Sequence, residues 1–152
     1  MPQRSLGFET RKLAHAIKLF VDASVSREIN ENLSGVEGMV LGYLFHHADD
    51  AVTAQTLMDH FKVKKAACSQ TLHSLENKGL IQMEPLARDK RVKRIVPTAK
   101  GEDVHAEFDR IFTKINAQIE QGLSDAEKEQ YRATMTKIAA NIGADYFFEE
   151  DK

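Results

Sequence analysis

The sequence predicts a mostly α-helical fold that contains one small β-hairpin. Apolar residues recur at the spacing of amphipathic helices along most of the 152 residues. Two short strand-like runs, residues 80–84 and 92–96, interrupt that pattern and flank a turn rich in Arg and Lys. A helix pattern, a tight turn and a second helix pattern precede them, over residues 53–60, 61–63 and 64–78. Helix, turn, helix and hairpin in this order predict a winged helix-turn-helix.

The helices before this unit begin at recognisable signals. A first helix is expected from about Phe8 to about Asn30. Ser34 and Glu37 form a capping box, in which the serine accepts from a backbone amide and the glutamate reaches back, so a second helix is expected to start there. The residues at core spacing on this helix are Val36, Met39, Val40, Tyr43 and Leu44. Thr53 is a typical cap for the first helix of the helix-turn-helix.

Two further helices are expected after the hairpin. Thr98 caps a long helix that reaches about Gln121. A second capping box, Ser124 with Glu127, starts the last helix. The apolar stripes on the first and last two helices exceed what the small winged unit can cover. Burial between two identical chains is the economical solution, and a monomeric helical cap is the alternative.

Basic residues are concentrated around the hairpin and the helix that precedes it. Residues 62–100 hold ten Lys or Arg and three Asp or Glu, a net charge of +7, and the rest of the chain carries −9. A basic segment in an acidic protein is typical of a surface that binds a polyanion, and a solvated charged surface is the alternative. In a winged helix-turn-helix, the second helix enters a DNA major groove and the hairpin lies beside the neighbouring groove.

The second helix of the unit has one face suited to reading base edges. Cys68, Leu72 and Leu75 are predicted to face the core, and the opposite face carries short or hydrogen-bonding side chains. Lys64 and Lys65 oppose the helix dipole at a cost of about 0.3–1 kcal/mol each. A docked phosphate would supply the missing anion, and extension of both lysines into solvent is the alternative. The residues expected to contact DNA are Lys62, Lys64, Lys65, Ala66, Ser69, Gln70, His73, Arg88, Asp89, Lys90 and Arg91.

Three segments resemble the MarR family of bacterial transcription regulators. Residues 75–81 (Leu-Glu-Asn-Lys-Gly-Leu-Ile), 88–91 (Arg-Asp-Lys-Arg) and 96–101 (Val-Pro-Thr-Ala-Lys-Gly) are similar to the family's Leu-Glu-x-x-Gly-Leu-Val, Asp-x-Arg and Leu-Thr-x-x-Gly patterns, in the same order and spacing. The resemblance extends from about Leu13 to Ile142. It implies a dimeric winged-helix protein that binds a pseudo-palindromic double-stranded DNA operator.

The resemblance also implies roles for single residues. Arg91 would enter a minor groove, with Asp89 orienting it, which agrees with the attraction of Arg to narrow minor grooves. Lys62 stands where family members often have Gly, and Lys64 replaces a common small cap. Ser69 and Gln70 stand where a Thr-Arg pair is frequent. Base preference therefore does not carry over from relatives.

These expectations divide the chain into two regions of one continuous compact domain. Residues 1–33 and 98–152 are expected to form a helical dimerisation region, and residues 34–97 the DNA-binding lobe. Family members often bind small aromatic or anionic effectors between such regions. The residues expected to line that crevice here are His15, Leu19, Tyr43, His47 and Phe108, which could equally fill the core.

Other chemistries have weaker support. His46 and His47 lie close to two aspartates, but adjacent histidines diverge on a helix, so a polar helix end is favoured over a metal site. Cys68 is the single cysteine, which excludes an intrachain disulfide, suits a reducing cytosol, and favours a packing role over a redox sensor. No Gly-rich phosphate loop, His-Glu-x-x-His or nucleophile elbow indicates an enzyme or a cofactor. No apolar run is long enough to span a membrane.

We therefore expect a cytoplasmic, homodimeric DNA-binding transcription regulator, a repressor that a small ligand releases. One alternative is a winged-helix protein-interaction module, and another is a small-molecule-binding dimer or enzyme subunit without a DNA role. A steep salt dependence of DNA affinity would separate the first function from the other two.

Overall fold

The protein folds as six α-helices and one two-stranded antiparallel sheet in the part of the chain that the computed structural model describes, residues 4–29 and 32–148. The helices are α1 (Leu6–Glu28), α2 (Gly35–His46), α3 (Ala54–Phe61), α4 (Lys65–Asn77), α5 (Ala99–Ile119) and α6 (Asp125–Asn141). The strands are β1 (Ile81–Pro85) and β2 (Lys93–Pro97), which form the wing. A short 3-10 helix, Asp145–Phe147, follows α6. The predicted fold class, mostly α with a winged helix-turn-helix, is confirmed.

The predicted helix starts are present with their hydrogen bonds. The Ser34 hydroxyl accepts from the backbone N–H of Glu37 at 3.1 Å, and the Glu37 carboxylate accepts from the Ser34 N–H at 3.4 Å. The second capping box joins Ser124 and Glu127 at 3.1 and 2.7 Å. The Thr98 hydroxyl accepts at 3.0 Å from a backbone amide in the first turn of α5. Each cap satisfies amides that a helix end would otherwise leave without partners.

Two glycines explain the spacing of the motifs around the wing. Gly79 ends α4 with a φ of 72°, in the left-handed region that side chains disfavour. Gly101 lies against the Leu80 carbonyl oxygen so closely that a Cβ would overlap it. The Thr98 hydroxyl donates to the Gly79 carbonyl at 2.6 Å. The end of α4, the start of β1 and the start of α5 are therefore held together.

The chain divides into two compact units, the first ending at Ile115 and the second beginning at Asn116. The first contains α1 to α4, the wing and most of α5, around one hydrophobic core. Its buried apolar side chains include Val25, Leu41, Leu44, Val52, Leu57, Leu72, Leu75, Leu80, Ile95, Val104, Phe108 and Ile111. Most of them come from the helices around the wing, so the core supports the lobe that carries α4 and the hairpin.

The core differs from the sequence prediction in α2. Val36 and Met39 were expected to face inward, but they are 52% and 48% exposed, whereas Leu41 is fully buried. Apolar residues occupy almost every side of α2, so its periodicity does not select one face. Leu13, on the apolar stripe of α1, is also 48% exposed in the single chain. These side chains leave apolar surface on the single chain.

The second unit contains the end of α5, α6 and the 3-10 helix. The Lys128 ammonium and the Glu120 carboxylate form an ion pair at 2.7 Å that fixes the turn before α6. Large apolar side chains of this unit are exposed in the single chain, and they are Ile119, Leu123, Tyr131, Ile142, Tyr146, Phe147 and Phe148. Among the described helices, none is both long and apolar enough to cross a bilayer.

Candidate nucleic-acid interface

The exposed face of α4 carries the polar side chains predicted from the sequence. Cys68, Leu72 and Leu75 are buried on the opposite side. The predicted reading residues are all exposed, and they are Lys65, Ala66, Ser69, Gln70 and His73. A helix with this division can lie on the lobe and present hydrogen-bonding groups to a groove.

Asn77 adds a contact on this face that the sequence did not indicate. Its Nδ2 lies 3.1 Å from Nε2 of His73, one turn earlier in α4. When the Asn77 amide donates, the His73 proton resides on Nδ1, and His73 then offers an N–H donor. The i, i+4 spacing alone could have indicated this pair.

The N-terminus of α4 lacks the side-chain caps found at α2, α3, α5 and α6. Lys64 occupies the N-cap position without a side-chain hydrogen bond to the backbone, and the first turn has no acidic residue. Lys62, in the turn before it, has φ 53° and ψ 44°, the left-handed conformation in which Gly is usual. Both lysines are exposed. Cations therefore surround backbone amides that a bound anion would satisfy.

The tip of the wing holds an arginine in a defined position. Asp89 accepts from the backbone N–H of Arg91 at 3.1 Å, from Nε at 3.2 Å and from Nη2 at 3.4 Å. These bonds hold the pKa of the Asp89 carboxyl below its usual value, first through the Arg91 side chain and then through its backbone. The Arg91 side chain is nevertheless 91% exposed. Arg88 and Lys90, in the same turn, are also exposed.

Further cations of the basic segment are bound to groups of the first compact unit. Arg94 donates to the Ala48 carbonyl at 3.1 Å, and Lys78 forms an ion pair with Glu37 at 2.7 Å. Lys100 donates to the backbone carbonyl of Lys78 at 2.9 Å. The charge of +7 along the sequence therefore overstates the positive charge available to a ligand.

A groove of about 780 Å³ lies between α4 and the wing. Ser69, Gln70 and His73 line it from α4. Arg91 and Lys93 line it from the wing. The reading face of α4 and the cations of the wing consequently share one side of the lobe.

The residues predicted to bind an effector are distributed over several elements. Tyr43 and His47 stack with their ring centroids 3.9 Å apart. Phe108 is buried in the core, where its ring leaves no room for a side chain at Gly38. His15 and Leu19 are exposed on α1. The five residues remain a predicted site.

The remaining candidates for metal or redox chemistry are packed groups. The His105 ring stacks on Phe45 at 4.6 Å, and burial lowers its pKa, with Asp109 acting in the opposite direction. Among the described residues, no group of three or more His, Cys, Asp or Glu side chains is arranged to hold a metal ion. Cys68 is buried, its Sγ lies 3.7 Å from the Ala54 carbonyl, and burial raises its pKa. The raised pKa favours the unreactive thiol.

The comparisons with known proteins cover both the lobe and the whole chain. The family model described as the MarR family matches residues 31–92, which span α2 to the wing. MepR from Staphylococcus aureus, in a crystal structure of a MepR–DNA complex, is 25% identical with a TM-score of 0.82, and the match covers 93% of this chain and 99% of that chain.

Two further structures have the same fold at lower identity. The heme sensor protein PefR from Streptococcus agalactiae, in complex with heme, is 21% identical with a TM-score of 0.71, covering 98% of this chain and 100% of that chain. A crystal structure of MarR is 17% identical with a TM-score of 0.71, covering 93% of both chains. The model of the MarR family thus matches residues 31–92, and the likeness to MepR at 25% identity extends over nearly the full length of this chain.

Proposed function

We propose that this protein is a DNA-binding transcription regulator. The observation that carries the proposal is the shared groove, because it is lined by base-reading side chains of α4 and by cations of the wing. The MepR structure at 25% identity is a complex with DNA, and another MepR structure is described as a transcription regulator of a multidrug efflux pump. We propose a cytoplasmic location for it, and no catalytic step is part of the proposal.

The reading face of α4 suits a DNA major groove. Gln70 can bind adenine through two hydrogen bonds, and Ser69 can donate or accept. His73, held by Asn77, offers a donor to a purine N7 or guanine O6. These side chains give sequence preference, while the lysines give affinity that depends on salt.

Lys62, Lys64 and Lys65 are proposed to bind phosphates. They surround the uncapped start of α4, where free backbone amides and the helix dipole favour an anion. A phosphate there would also relieve the repulsion between the lysines and the dipole. Phosphate contacts fix the orientation of a helix in the groove but do not read sequence.

Arg91 is proposed to enter the minor groove beside the α4 site. Its guanidinium is exposed, yet Asp89 restricts its conformations before DNA binds. Ordering the side chain in advance lowers the entropy lost on binding. Arg88 and Lys90 are proposed to add backbone contacts next to it.

The protein is proposed to act as a homodimer. Exposed apolar side chains lie on α1 and throughout the second unit, and a single soluble chain rarely leaves so many uncovered. Residues 1–33 and 98–152 are the proposed dimerisation region, and residues 34–97 are the proposed DNA-binding lobe. A two-fold axis places the two copies of α4 on half-sites about 34–36 Å apart, which requires a pseudo-palindromic operator.

Regulation is proposed to be repression that a small aromatic or anionic effector relieves. A bound dimer excludes polymerase from an overlapping promoter. An effector that binds preferentially to a dimer conformation whose two α4 helices do not match the operator spacing lowers the population of dimers able to bind DNA. The proposed crevice includes the Tyr43–His47 stack, a flat aromatic surface suited to such a molecule. PefR, with 21% identity, is a heme sensor, which illustrates ligand response on this fold.

Selection of bound sequences from random duplex DNA tests the function directly. We expect enrichment of an inverted repeat, and we expect its affinity to fall steeply with salt concentration. An excess of unrelated duplex DNA is the control for non-specific binding. Recovery of no preferred sequence, together with a flat salt dependence, would favour a protein-interaction module instead.

A further inference from the structure

The C-terminal end of α4 is attached to three other parts of the first compact unit by the side chain and the carbonyl of Lys78. The Lys78 ammonium lies 2.7 Å from the Glu37 carboxylate of α2 and 2.9 Å from the Asn32 carbonyl before α2. The Lys78 carbonyl accepts from Lys100 of α5 at 2.9 Å. Lys78 therefore connects the last turn of α4 to the α1–α2 junction, to α2 and to α5.

Glu37 is the acceptor at the centre of this arrangement. It is one of two buried polar or charged residues among the described side chains, with 8% exposure. Its Oε2 accepts from Lys78 and, at 3.2 Å, from the Ser74 hydroxyl, and its Oε1 accepts from the Ser34 amide. Burying a carboxylate is unfavourable unless it is paired and hydrogen-bonded, and both conditions are met here.

We propose that Glu37 and Lys78 are positioning residues that hold α4 at the angle required for base reading. This inference rests on the proposed DNA-binding function. Ser74 and Lys78 are one turn apart on α4, so two contacts to a single carboxylate fix both the rotation and the tilt of its last turns. Neither side chain belongs to the exposed face that reads DNA.

Lys78 also contacts the segment that lies between α1 and α2. Asn32 has a φ of 49°, a left-handed conformation that Asn tolerates better than most residues, and its carbonyl accepts from Lys78. Asp22 of α1 accepts from the Gly35 amide at 3.4 Å, at the start of α2. Polar contacts thus join α1 to the start of α2, and α2 to the end of α4, within one compact unit.

The sign of the effect of Glu37→Gln distinguishes positioning from simple electrostatics. Removing an acidic charge from a DNA-binding lobe should tighten DNA binding if only charge matters. If Glu37 positions α4, Glu37→Gln should weaken binding to the selected operator by about tenfold, within the usual range of coupling between sites. Binding to unrelated duplex DNA should change little. Glu102→Gln, an exposed position in the first turn of α5, is the control with the same change in charge.

Lys78→Met completes the test because it removes the ammonium and keeps the apolar stem. We expect Lys78→Met to bind the operator with an affinity about tenfold lower and with an unchanged salt slope. The double variant with Glu37→Gln should bind the operator no more weakly than the weaker of the two single variants. Lys78→Arg should restore most of the affinity. A salt slope reduced by about one per protomer would instead make Lys78 a phosphate contact and overturn the proposal.

Folding and DNA binding are separated by two further measurements. Circular dichroism establishes that each variant is folded at the assay temperature. If Glu37→Gln is not folded, the milder variant Ser74→Ala takes its place. Amide hydrogen exchange in the last two turns of α4 should be faster in Glu37→Gln than in Glu102→Gln. Hydrogen exchange is measured without DNA. Unchanged exchange in Glu37→Gln would therefore overturn the positioning role, whether or not the wild-type protein binds DNA. Failure of the wild-type protein to bind DNA would refute only the proposed function.

Discussion

Lys62 occupies a backbone conformation that favours Gly, so replacement by Gly should give a more stable protein than replacement by Ala, and both changes should weaken DNA binding. Its φ of 53° and ψ of 44° lie in the left-handed region at the end of α3. That conformation costs a residue other than Gly about 1–2 kcal/mol. The greater freedom of Gly in the unfolded chain offsets about 0.5–1 kcal/mol of the gain. Lys62→Gly should therefore be more stable than Lys62→Ala by about 0.5–1 kcal/mol.

Lys62→Ala is the matched control for this substitution. It removes the same side-chain contacts but keeps a Cβ in the left-handed conformation, so the difference between Gly and Ala isolates the backbone term. For a chain of this length, the Gly variant should melt about 1–4 °C above the Ala variant. Thermal and urea unfolding followed by circular dichroism measure the difference.

The two Lys62 variants should behave alike towards DNA. If Lys62 contacts a phosphate, each should lower the slope of log affinity against log salt by about one per protomer. Equal stability of the Gly and Ala variants would refute the assignment of backbone strain. Wild-type affinity and slope in both variants would remove Lys62 from the interface.

Three further predictions test other parts of the molecule. Gln70→Ala should relax the base preference at one operator position per half-site at a cost of about 1–3 kcal/mol of binding free energy. Arg91→Ala should weaken binding to many DNA sequences alike and lower the salt slope by about one per protomer. Binding to a panel of single-base operator variants over a salt series distinguishes the two effects. Burial lowers the pKa of His105 from 6.5, so the neutral ring stabilises the fold above that pH and stability falls as pH decreases below it. The unfolding free energy of His105→Phe should therefore depend less on pH in this range than that of the wild-type protein. An equal dependence in the two proteins would contradict the assignment. Ile142 is 74% exposed in the single chain, so Ile142→Asp should leave the fold intact and dissociate the dimer, and a dimer in sedimentation at micromolar concentration would remove Ile142 from the interface.

Features that depend on neighbouring residues were predicted well from the sequence. The capping boxes at Ser34 and Ser124, and the cap at Thr98, act over three residues, so their sequence patterns fixed where helices begin. The helix-turn-helix and the wing followed from local periodicity and turn residues. The exposed face of α4 followed from the same period, because Cys68 and Leu72 identify its buried side.

Features that depend on distant residues were not predicted. Lys78 was counted with the basic segment, yet its partner Glu37 lies 41 positions away in the chain. Arg94 similarly donates to the carbonyl of Ala48, 46 positions away. Charge along a sequence does not show which cations are used inside the fold. Met39 was placed in the core because an apolar pattern does not distinguish burial within a chain from surface left for a partner.

The anchoring of β2 has a consequence for redesigning the protein. The backbone N–H of Ile95 donates to the Val52 carbonyl at 2.8 Å, and Arg94 donates to Ala48, so the wing is fixed to the segment between α2 and α3. Because these bonds use none of the exposed side chains of α4, replacing those side chains leaves the attachment of the wing unchanged. Replacing only the exposed side chains of α4 with those of another protein should then change the operator sequence that is bound. The separation of the half-sites should stay that of the chain that receives them.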